Sequence, residues 1–161
     1  MSVEKIKDNF TREDWEAILD APFLIGLAVS DSDIHPEASS RELDALMKVC
    51  GKARDNYPEN PLIMEALDEM GWLSQMDEPE ADPQEIRSHF EKIAVILDNF
   101  DREVSGHYGR QFKEFLFQVG LEVAKAYSEE FFGLGKKISD SEQTMLEMLR
   151  DALGLDDVKI R

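Results

Sequence analysis

The chain has 161 residues, 42% of them hydrophobic, with 35 acidic against 18 basic side chains and a formal net charge of -17. That length suits one domain whose core stands without metal or disulfide support, and charge of this sign argues against nucleic acid or an anionic membrane as the main partner. The single cysteine, Cys50, has no partner for an internal disulfide. No leader-like segment opens the chain, and the longest apolar run, Ala21 to Val29, is far short of the ~20 residues a membrane helix needs, so a cytoplasmic protein without membrane insertion is expected.

The first nine residues are polar and read as a short arm or a brief helix. Thr11 predicts a helix N-cap with Asp14 three residues on, while Phe10 and Trp15 stand where a hydrophobic staple needs them. Trp15, Ile18 and Leu19 give the apolar face, and Pro22 either kinks this helix or restarts it with Asp20 as a new cap. From Ala21 to Val29 the pattern is apolar nearly all round, which predicts a place at the centre of a bundle.

The loop that follows, DSDIHPEASS, is dense in oxygen ligands. Asp31, Asp33 and Glu42 take places 1, 3 and 12 of a calcium-loop spacing, with Ser39 at place 9. His35 and Pro36 stand where a third oxygen and a turning glycine are usual, so the backbone departs from the EF-hand path. The pattern is a candidate divalent-cation loop completed by Glu37, carbonyls and water, favouring calcium, magnesium or manganese before zinc. The competing reading is a capping box, Ser39 with Glu42, beside solvated acids.

Leu43, Leu46, Met47 and Cys50 then fall at helical spacing, with Gly51 as the expected C-cap and Cys50 as a small core residue. After a turn, Asn60 with Pro61 opens a third helix carrying Ile63, Leu67 and Met70. Met76 to Pro83, with two prolines and four acids, is the clearest linker. Asp82 caps a long helix whose stripe is Ile86, Phe90, Ile93, Leu97, Phe100 and Val104, and SGHYG, Ser105 to Gly109, breaks it. From Arg110 to Ser128 a further helix carries Phe112, Phe115, Leu116, Val119 and Val123 on one face, with Gly120 admitting a close neighbour. Past the loop SEEFFGLGKKI, a second box of Ser139 and Glu142 precedes Met145, Leu146, Leu149, Ala152 and Leu153 and the stop at Gly154.

The ending repeats the beginning, which predicts an all-α, compact bundle of about six to eight helices built from two related helical hairpins. The hairpins span residues 11–51 and 110–154, with a central section over 52–109, in one domain over 1–161. The passage from Gly120 to Leu155, with Ala124, Ala126, Gly135, Ile138, Ser139, Glu142 and Leu153, resembles the closing hairpin of the TerB-like tellurite-resistance family. WEAILDAPFLIGLAVSDSD followed by Glu42 is similar to its opening hairpin. The resemblance implies a non-catalytic stress-response protein with acidic residues that bind divalent metal, which by position are Asp31, Glu42 and Glu142. The chain departs from the family at Tyr127 and Ser128, which offer no carboxylate for a second site.

Catalytic patterns are missing. The residues three before His35, His89 and His107 are Ser32, Ile86 and Val104, so the ExxH pairs of di-iron bundles are absent. Glu85 with His89 and Glu103 with His107 read as surface links. There is no Cys/His cluster, phosphate-binding glycine loop or nucleophile elbow. The expectation is a protein that is not an enzyme, a monomer or weak homodimer. Two alternatives stand beside it: an acidic adaptor that binds an unknown protein partner without metal, and an enzyme whose site is assembled from distant carboxylates.

Overall fold

Among the described residues, six α-helices follow a short 3-10 turn, Ile6–Asn9: α1 (Arg12–Asp31), α2 (Ser39–Asn56), α3 (Pro61–Met70), α4 (Pro83–Val104), α5 (Tyr108–Phe131) and α6 (Asp140–Leu153). The computed structural model describes residues 6–31, 39–70, 83–104, 106–131 and 140–157, and leaves aside the side chains of 27, 30, 31, 39–46, 70, 83, 126–131 and 141. Among the described residues there is no strand, and no helix is long and apolar enough to cross a membrane.

The start signals act as expected. Thr11 Oγ1 accepts the Asp14 amide at 3.1 Å, and Phe10 stacks on Trp15 with ring centroids 5.7 Å apart. Pro22 does not restart α1: the helix is continuous over 20 residues, and Asp20 is an interior position. At the start of α3, Asn60 Oδ1 accepts the Ile63 amide at 3.0 Å, satisfying one donor that the helix itself leaves open.

Two expectations about α2 are corrected. Gly51 does not end it, because the helix runs on to Asn56. Among its described side chains, Val49 and Ala53 are buried, while Met47 is 60% exposed and Cys50 is half-buried against the core. Val49 and Ala53, four residues apart, share a face turned away from the one that Met47 marks, and continuing the helix is what brings Ala53 into the core. The side chains of Leu43 and Leu46 lie outside the described residues.

The axis of the bundle is α5. It packs against α1, α2, α3, α4 and α6, and it buries Phe117, Leu121 and Ala124 as well as the predicted face of Phe112, Phe115, Leu116, Val119 and Val123. The buried face is therefore wider than the predicted one, and the remaining side keeps a polar stripe of Gln111, Glu114, Gln118, Glu122 and Lys125, of which Gln118 is exposed. The helix also runs to Phe131, so Ser128 to Phe131 are helical and not loop. Helix α1 also packs against every other described helix, α2 to α6, the central place that its apolar run predicts: Ala21, Ile25, Ala28 and Val29 are buried, and Phe23 and Leu24 are half-buried.

Between α4 and α5 the chain turns in three residues. Asp101, still in α4, caps α5 from outside: its carboxylate accepts the Gly109 amide at 2.7 Å and the Arg110 amide at 2.9 Å. A Cβ on Gly109 would meet the Leu97 carbonyl oxygen at 2.5 Å, so only glycine lets the two helices approach this closely.

Candidate functional site

The acidic positions singled out by the sequence sit where helices begin and end. Asp31 is the last residue of α1, Glu42 lies in the first turn of α2, and Glu142 lies in the first turn of α6. Asp33, His35 and Glu37 lie outside the described residues, as do the side chains of Asp31 and Glu42.

Gly120 relates two of these ends. A Cβ built on it would meet Ile25 Cγ2 at 3.1 Å, Leu146 Cδ2 at 3.2 Å and Val29 Cγ2 at 3.4 Å. The missing side chain lets α1 and α6 both close on α5 at this level, as the sequence led one to expect. Asp31 follows Val29 by two residues, and Glu142 precedes Leu146 by one turn. With a rise of about 1.5 Å per residue, the backbone positions of these two acids lie within a turn or two of one level of the bundle.

Glu142 is fully buried at 0% exposure. It shares a stripe with Leu146, Leu149 and Leu153, all buried, at steps of four, three and four. A carboxylate taken out of water must be met by a donor or a cation, or its burial costs several kcal/mol (roughly). The capping-box reading caught the residue but missed its burial, although the phase with Leu146 was legible. Among the described residues, no three His, Cys, Asp or Glu side chains converge into a cage.

The other reactive side chains are structural. Burial pushes the Cys50 thiol up to about 11, which leaves it protonated and a poor nucleophile near neutrality. His89 on α4 is half-buried, and its Nε2 has no hydrogen-bond partner among the described residues. Burial, and secondarily the nearby Lys92, hold its pKa below the ordinary histidine value. The pairing of Glu103 with His107 fails geometrically, since α4 ends at Val104 and the two residues do not share a helix. Lys113 on α5 is buried and donates to Asp98 on α4.

Three polar links between elements were missed by pattern reading. Asn60 caps α3 and also donates through Nδ2 to the Tyr108 carbonyl at 3.2 Å and to Gln111 Oε1 at 2.8 Å, which ties α3 to α5. Asp101 acts across a helix boundary, and Glu69 receives the indole N–H of Trp15 at 2.5 Å. Each joins residues distant in sequence or in different elements, for which local spacing carries no signal. No family model, curated protein or solved structure matches the chain, so the reading of the site rests on its own residues.

Proposed function

We propose that the chain is a cytoplasmic, non-catalytic TerB-like protein of the tellurite-resistance stress response, with a divalent-cation site where α1 ends and α2 and α6 begin. The residues assigned to it are Asp31, Asp33 and Glu37 of the first connection, Glu42 of α2 and Glu142 of α6. The observation that carries this reading is the burial of Glu142 on a core stripe, near the level at which α1 runs out at Asp31. An all-oxygen donor set of this kind suits calcium, magnesium or manganese over zinc. A bound cation would offset the mutual repulsion that these carboxylates would meet at one site in a chain of net charge -17.

The test is calorimetric titration of metal-stripped protein with calcium, magnesium, manganese and zinc, beside an Asp31→Ala, Asp33→Ala double variant and a Glu142→Gln variant. Binding heat in the parent that disappears in the double variant and weakens in Glu142→Gln is the expected outcome. A folded parent that gives no heat with any of the four ions overturns the metal site. Glu42 and Glu142 would then act as helix caps, and the adaptor reading would take precedence.

A further inference from the structure

The turn Ile6–Asn9 contributes no buried residue, yet it is fastened to the bundle at one carboxylate. Glu69, in the last turn of α3, accepts Lys7 Nζ at 3.1 Å through Oε1 and Trp15 Nε1 at 2.5 Å through Oε2. One turn earlier, Glu65 Oε2 accepts the Lys7 backbone amide at 3.3 Å. Phe10, which follows the turn, lays its ring against Phe100 at 5.0 Å and Trp15 at 5.7 Å between centroids. Trp15 and Phe100 are themselves core residues.

We propose that Ile6 to Phe10 form a charge-latched strap, which lifts from the aromatic floor of Trp15 and Phe100 while the bundle stays folded, with the Lys7–Glu69 ion pair as its latch. The balance of forces is lopsided. The helices are held by buried faces, whereas the strap is held by a partly exposed ion pair, side chains 36% and 31% exposed, by one backbone donor, and by the partly buried side chains of Ile6 and Phe10. Contacts of that kind are individually weak, and segments with little buried surface open well before the whole domain does. The latch is also single: Glu69 is the shared acceptor, so removing the Lys7 charge, as acetylation of this lysine would, loosens the strap and relaxes the carboxylate that orients the Trp15 indole.

Hydrogen exchange on the full chain tests this with three variants, Lys7→Gln, Lys7→Arg and Glu69→Gln. Lys7→Gln should raise exchange at the Lys-7-position and Phe10 amides about threefold, the loss expected for a partly exposed pair. Glu69→Gln should do at least as much, Lys7→Arg should match the parent, and amides of α5 should be unchanged in all. In the unmodified chain, about 1 M salt should act in the same direction as Lys7→Gln, because it screens the pair. The proposal is overturned by unchanged exchange in Lys7→Gln, by an equal rise in Lys7→Arg, or by α5 amides rising in step with the strap.

Discussion

The sequences at the openings of α2 and α6 match, Ser39, Glu42 and Leu46 against Ser139, Glu142 and Leu146, yet the two helices end by different rules. Helix α6 stops at Gly154, whose φ is 73°; the Gly154 amide donates to the Asp151 carbonyl at 3.0 Å and the Leu155 amide to the Arg150 carbonyl at 2.9 Å. Leu155 is fully buried, so the reversed chain is held by an apolar side chain just past the glycine. Gly51 is followed by Lys52, which is exposed, and then by Ala53, which is buried. Leaving the helix at Gly51 would anchor nothing, while continuing it buries Ala53. A glycine ends a helix when the residue after it has a core to enter.

The largest effect that sharpens this contrast comes from truncating one apolar residue in each helix. Leu146→Ala removes a fully buried side chain seated over Gly120 and should cost about 2–5 kcal/mol. Met47→Ala, at an exposed position, should change stability by less than about 0.5 kcal/mol. Denaturant midpoints measure both, and comparable losses would mean that α2 is covered in solution at Met47.

A smaller, oppositely signed pair tests the two glycines. Gly154→Ala places a Cβ at positive φ and should destabilise by about 1–2 kcal/mol. A Cβ at Gly51 meets nothing within 4 Å, in mid-helix, so Gly51→Ala should stabilise by about 0.5–1 kcal/mol. Thermal unfolding of the two variants should therefore move in opposite directions, and a fall in both would restore Gly51 as a helix end.

The smallest effect concerns α4, which packs closely against α6. His89 has a folded pKa below its unfolded value, chiefly through burial. The unfolded chain then binds the extra proton, so this group's contribution is intact above about pH 6.5 and is lost as pH falls from there through the folded value. Unfolding midpoints taken above and below that window should drop more in the parent than in His89→Gln. Equal drops would show that His89 is not what titrates.

How much of this was legible depended on the range of the cause. Thr11, Asn60 with Pro61, and Gly154 act within a turn of themselves, and each helix boundary they announce is where the structure has it. The stripe of α4 held for Phe90, Ile93, Leu97 and Phe100, while Val104, at the helix end, is 37% exposed. Where the cause lies in another element, spacing misled. Phe117, Leu121 and Ala124 fell outside the face read for α5 because what covers them does not appear in the helix's own sequence, and Met47 looked buried because periodicity fixes a face but not its centre. In the candidate site, the position of Glu142 was legible from SxxE, and its burial was legible only from its phase with Leu146 and Leu149.

The corner between α4 and α5 also governs where this chain tolerates being cut. Asp101 must stay over the amides of Gly109 and Arg110, and Gly109 must stay against the Leu97 carbonyl. Circularly permuted versions with new ends at residues 105–107 would uncap α5, which packs against all five of the other described helices. A tag or reporter inserted at that corner would strike the axis of the molecule, although the site looks in sequence like an ordinary glycine-rich bend.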